Sequence, residues 1–160
     1  MKIENNIFFI LLLGILLFSC DKKSVFDEYQ SVGNAWHKDS IIQFQLPKLD
    51  TTKLYNLFIN LRNNNSYPFN NIFLIVALEK SNGFTKVDTL EYQMANPDGT
   101  LLGEGFSDIK ESKLVYKENV RLKGHYKVYI KQALRKTGQI PGITHLDGIT
   151  EVGFRIEKKE

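Results

Sequence analysis

Two hydrophobic patterns divide the chain. From Ile7 to Phe18 apolar residues run with only Gly14 between them, and the run has Lys2 before it and Asp21-Lys22-Lys23 after it. A basic end, an apolar stretch too short to cross a bilayer comfortably and a small residue at Ser19 predict an export leader cut before Cys20. Beyond the leader the period changes to two, the signature of strands that bury one face. Ile42, Phe44 and Leu46 alternate with polar residues until Pro47, which has no amide to give to a ladder. Tyr55, Leu57, Ile59 and Leu61 repeat the pattern, and residues 71–78 are apolar on both faces, which predicts the central strand of the domain. Ser81-Asn82-Gly83 predicts a hairpin into a strand over 85–92, and Pro97-Asp98-Gly99 a further turn. Gly103 and Gly105 flank Glu104, as at a bulge or a close backbone approach. Later strands fall at 113–116, at 124–132 with Tyr126, Val128 and Ile130 inward, and at 150–157 with Val152, Phe154 and Ile156 inward; residues 133–136 predict one helical turn. With no long amphipathic helix after the leader, the series predicts an all-β antiparallel sandwich, jelly-roll-like in preference to immunoglobulin-like.

Cysteine usage sharpens the reading of the leader. Cys20 is the only cysteine, so no disulfide forms within the chain, and an exported protein seldom keeps one thiol without a use for it. Leu17-Phe18-Ser19-Cys20 resembles the lipobox of bacterial lipoproteins, with Phe18 bulkier than the usual residue at that position. The resemblance implies a diacylglycerol on the Cys20 sulfur, removal of residues 1–19 as signal peptide and acylation of the new amino terminus. The expected organisation is then signal peptide 1–19, lipidated cysteine and short polar tether 20–26, and one sandwich domain over 27–160. The leader removes one lysine and one glutamate, Lys2 and Glu4, so the formal charge of +3 is unchanged by processing. Interspersed charges of that size give no footprint for nucleic acid, though mild basicity suits anionic headgroups or glycans.

Catalytic patterns do not emerge from the remaining polar residues. His37, His125 and His145 lack metal-ligand spacing, and His37 with Asp39 needs further ligands that the sequence does not place. Ser66, Ser81, Ser107 and Ser112 stand in no nucleophile-elbow context and no carboxylate pair stands out, so the reading is a non-enzyme with no metal and no cofactor. Asp39-Ser40-Ile41, Asp50-Thr51-Thr52 and Asp88-Thr89-Leu90 resemble the O-glycosylation acceptor of exported Bacteroidota proteins, which makes Ser40, Thr51 and Thr89 candidate modification sites. Tyr129, between Lys127 and Lys131 on the outward face of its strand, is the candidate for stacking on a sugar ring.

Several blocks carry a wider resemblance. Val25-Phe26-Asp27-Glu28-Tyr29, Trp36-His37-Lys38-Asp39-Ser40, Tyr55 to Asn63, Asp88 to Ala95, Pro97-Asp98-Gly99-Thr100 and Gly148 to Glu157 occur in the order in which the chain resembles the GldH gliding-motility lipoproteins of Bacteroidota. The resemblance implies an outer-membrane lipoprotein, anchored to the membrane through Cys20, that acts with other envelope proteins of the gliding and type IX secretion machinery. It implies no catalytic activity and leaves open which face of the outer membrane the domain occupies. A lipid-anchored carbohydrate-binding module, with a glycan as partner, is the alternative.

Overall fold

The computed structural model describes residues 23–105 and 107–159; Cys20 and the leader lie outside the described residues. Among the described residues there is no helix. The ten strands are β1 (Ser24–Ser31), β2 (Ala35–His37), β3 (Ile42–Gln45), β4 (Tyr55–Asn63) and β5 (Asn71–Lys80), then β6 (Thr85–Gln93), β7 (Lys110–Val120), β8 (Tyr126–Gln132), β9 (His145–Asp147) and β10 (Ile149–Lys158). Two four-stranded antiparallel sheets hold the eight longer strands, in the orders β1-β10-β4-β7 and β3-β8-β5-β6, and β2 pairs with β9 as a small ribbon. The two sheets pack as a sandwich around one core.

Alternation along each strand builds that core. Ile42 and Phe44 of β3, Leu57, Ile59 and Leu61 of β4, and Val152, Phe154 and Ile156 of β10 all point inward and are buried. Phe154 lies at the junction: its ring stacks on Phe44 at 6.1 Å and meets Tyr116 edge-on at 6.3 Å, so one side chain of the first sheet joins β3 of the second to β7 of its own. Trp36, fully buried, closes the core and satisfies its indole by donating to the Ser40 carbonyl at 3.0 Å.

Turn chemistry holds where it was expected. Gly83 and Gly99 adopt positive φ in the turns after Lys80 and Pro97, each with its amide donating back across the turn. Gly103 marks a close approach: a Cβ there would sit 2.6 Å from the Glu111 carbonyl oxygen, where residue 104 bridges to β7.

Three segments differ from the sequence reading. Residues 133–136 form no helical turn; Leu134 is buried, its amide donates to the Gln132 side chain, its carbonyl accepts from Ile143, and Arg135 bridges to Gly142. Burial of Leu134 and this pairing hold the backbone extended against weak local helix propensity. The ribbon of β2 and β9 went unread, because strands of three residues carry no period. Finally, β1 starts at Ser24, and Ser24 and Phe26 already pair with β10, with a register shift between them, where polarity suggested tether. As an edge strand with polar residues on both faces, β1 gives almost no hydrophobic alternation.

Candidate functional site

The outer faces of the two sheets differ in kind. On the first sheet, Tyr29 of β1 lies across Gly153 of β10, where a Cβ would come within 2.8 Å of its ring. Its hydroxyl accepts from Asn60 Nδ2 at 2.7 Å and donates to Glu111 Oε1 at 2.9 Å. Burial, helped by the Glu111 carboxylate, pushes that hydroxyl up to about 12. Arg62 sits over the ring at 4.2 Å and donates from Nε to Glu111 at 2.6 Å and from Nη1 to Glu151 at 2.7 Å. These two bonds to Glu151 and Glu111 raise its pKa further and keep the guanidinium charged. A second cluster continues along the same face. Arg155 joins Asp27 to Glu157, while Lys113 reaches Glu157 at 2.6 Å and covers the Phe58 ring at 4.1 Å. All four strands are thus tied by charges that already have partners.

At the seam between the sheets, Asp88 of β6 accepts from Tyr116 Oη at 3.0 Å and Lys117 Nζ at 2.7 Å. Burial alone would raise its carboxyl, but the bonds from Lys117 and Tyr116 hold it below the usual carboxylate range. The same contact fixes β7, at the edge of one sheet, to β6, at the edge of the other.

Sheet two presents a more apolar surface. Phe73, Ile75 and Ala77 of β5 point outward and are half-buried, with Thr89 and Val87 of β6 on one flank and Lys131 and Tyr129 of β8 on the other. Ile41 and Val87 are 56% and 60% exposed at the margins. Phe73, Ile75, Thr89, Ala133 and Arg135 line a depression of about 350 Å³. Among the described residues, Lys127, Lys131 and Arg135 of this face enter no ion pair. Sequence reasoning placed β5 at the centre of its sheet and Tyr129 on the outward face. It missed the strip beneath, because a strand apolar on both faces reads as buried on both.

The other candidates are scattered. Ser40 and Thr51 are exposed in separate turns, and Thr89 is exposed on β6 beside the depression. Tyr129 is half-buried between its cross-strand neighbours Gln43 and Ala77. His37 and His145, unrelated in spacing, meet as a cross-strand pair of the β2–β9 ribbon with ring centroids 4.8 Å apart, and Asp39 lies 3.7 Å from His37 Nδ1. Among the described residues no three His, Cys, Asp or Glu side chains are arranged to hold a metal ion. His125 is apart from that pair, beside Glu79 and Tyr126.

An apolar leader, one cysteine at its end and an all-β sandwich behind it make up the layout of a lipoprotein. Residues 24–156 match the GldH lipoprotein family, and the chain belongs to that family. It is 71% identical over 160 residues, 100% of both chains, to the gliding motility lipoprotein GldH of Flavobacterium johnsoniae. It is also 56% identical over 155 residues, 95% of each chain, to the GldH homolog of Christiangramia forsetii. The family is thus one of gliding motility lipoproteins. Among solved structures, a 4-O-methyl-α-glucuronidase overlays with a TM-score of 0.45 at 13% identity, covering 89% of this chain and 18% of that one. A likeness that distant carries nothing about activity.

Proposed function

We propose that the chain is a non-enzymatic outer-membrane lipoprotein, held by Cys20 after removal of residues 1–19, that supports gliding by docking onto other envelope components of the gliding and type IX secretion machinery. The docking surface in this reading is the outer face of β3, β8, β5 and β6. The observation that carries it is the contrast between the two outer faces. One has its charges paired across all four strands; the other keeps Phe73 and Ile75 in a shallow depression beside unpaired cations, the composition of an interface with an apolar centre and a polar rim.

Complementation tests the face. In Flavobacterium johnsoniae cells lacking their own relative, the wild-type chain should restore spreading, and an Ile41→Glu/Val87→Glu variant should lose it at equal abundance and equal membrane fraction. Both side chains are more than half exposed, so the exchange leaves the core intact. Full spreading by the variant would remove this face from the function.

Tyr129 on the same face is the ground for the second reading, a glycan-binding module. Polysaccharide binding by the wild-type protein, lost in Tyr129→Ala, would select it over protein docking. We also propose O-glycosylation at one or more of Ser40, Thr51 and Thr89, all exposed. Intact mass of the native protein should then exceed the lipidated chain by a glycan; the lipid increment alone would exclude it.

A further inference from the structure

The antiparallel order brings basic residues from all four strands of the first sheet to one end of the molecule. Strand β1 begins there, β10 ends there, β4 begins there and β7 ends there, as the pairs Ser24 with Glu157, Lys158 with Tyr55 and Tyr55 with Val120 require. At or just beyond these pairs stand Lys23, Lys158, Lys159, Lys53 and Arg121, all exposed. Backbone bonds lock the arrangement: the Lys158 amide donates to the Lys23 carbonyl and the Lys159 amide to the Leu54 carbonyl, both at 2.9 Å. Loops of the second sheet reach the same end and add exposed Lys48 and Lys123. The acids at this end are Asp50, exposed Glu118 and Glu157, the last already paired with Lys113 and Arg155; the Asp50 carboxylate is held low by hydrogen bonds from Thr52 and by the nearby charges of Lys53 and Lys158.

One large apolar side chain stands with these cations. Phe84, in the turn joining β5 to β6, is 64% exposed, and the turn is fixed at this end by the Ser81 amide donating to the His125 carbonyl. The opposite end is mixed, with a slight excess of acids: its loops carry exposed Asp39, Asp98, Glu104, Asp108 and Asp147 beside exposed Lys38, Arg135 and Lys136. Cations outnumber acids at the end where β1 begins, which the net charge of +3 by itself does not show.

The position of the chain start says what this end faces. Four peptide steps separate Cys20 from Ser24, so covalent geometry keeps their Cα atoms within about 14 Å of each other. With acyl chains on Cys20, the start of β1 cannot leave the headgroup layer by more than that. The screening length at physiological salt is about 8 Å, and lysine and arginine stems add reach, so the basic end lies within electrostatic range of anionic headgroups. We infer that the end formed by Lys23, Lys53, Arg121, Lys158 and Lys159, with Phe84 beside them, is a seat for an anionic phospholipid surface. On this seat the sandwich stands upright, with the loops around Asp98, Asp108 and Asp147 furthest from the bilayer and the face around Ile75 perpendicular to it. The inference rests on the proposed lipidation of Cys20 and adds an orientation to it.

Amine footprinting of the native lipidated protein tests the seat. The protein is reconstituted into vesicles of phosphatidylcholine alone or mixed with phosphatidylglycerol, and acylation of each lysine by a water-soluble reagent is followed by mass spectrometry. Lys53, Lys158 and Lys159 should label about threefold more slowly on the anionic vesicles, with the difference lost near 1 M salt, where screening falls to about 3 Å. Lys131, on the side of the sandwich, and exposed Lys136, at its opposite end, should label equally on both. Equal labelling of all five lysines on both vesicles overturns the seat while leaving the anchor intact. A native protein without the diacylglycerol mass, which does not float with vesicles, overturns the anchor and the seat with it.

Discussion

Cys20→Ala is expected to abolish function without touching the fold. The variant has no thiol to receive diacylglycerol, so it should lack the lipid mass, leave the membrane fraction and fail to restore spreading to cells without their own relative. The size of the effect follows from acyl-chain partitioning. At about 0.8 kcal/mol per buried methylene one chain gives only marginal binding, whereas several chains hold a protein at the bilayer indefinitely. Removing all of them leaves the inferred basic seat, a far weaker attraction to the membrane. A few lysines near an anionic surface contribute about 1 kcal/mol each and exchange quickly. Cell fractionation, intact mass and spreading on agar read the result. Variant protein retained in the membrane fraction with wild-type spreading would refute anchoring through Cys20.

The second large effect falls on the core. Phe154→Ala should destabilise the domain by about 3–5 kcal/mol, the range for truncating a buried aromatic whose neighbours cannot collapse into the space. Phe44 and Tyr116 are the neighbours, and each is held by its own strand, at ring distances of 6.1 and 6.3 Å. Against the usual domain stability of about 5–15 kcal/mol, such a loss is a large fraction of the whole. Phe84→Ala is the matched control: same chemistry, 64% exposed, with an expected change within about 0.5 kcal/mol. Urea midpoints of the detergent-solubilised proteins measure both. A loss below about 1 kcal/mol for Phe154→Ala would mean that the two sheets do not meet where described.

How much of this was legible beforehand depends on burial. Val152, Phe154 and Ile156 alternate with Arg155 and Glu157 because one face meets the core and the other meets water, and the sequence records that contrast directly. The turns after Lys80 and Pro97 were legible for a local reason, since Gly83 and Gly99 supply backbone conformations that other residues adopt at a cost. Strand β1 was not legible, because it pairs at an edge and exposes most of its length. The helical turn expected at 133–136 failed because burial of Leu134 and its pairing with Ile143 outweigh a propensity of a few tenths of a kcal/mol per residue.

The functional surfaces divide in the same way. The leader, the lone cysteine and the three Asp-Ser/Thr pairs are contiguous, so they are read by following the chain. The open face around Ile75, the paired charges around Arg62 and the basic end are each assembled from strands far apart in sequence. By itself, then, the sequence determined the class of fold, the inward faces of β3, β4, β8 and β10 and the turns after Lys80 and Pro97, because period and turn residues are local properties. Strand order, the meeting of His37 with His145 and the gathering of lysines at the end where β1 begins were decided by the tertiary structure alone. The reason is physical: period-two burial says which side of a strand faces the core but is silent on which strand lies beside it.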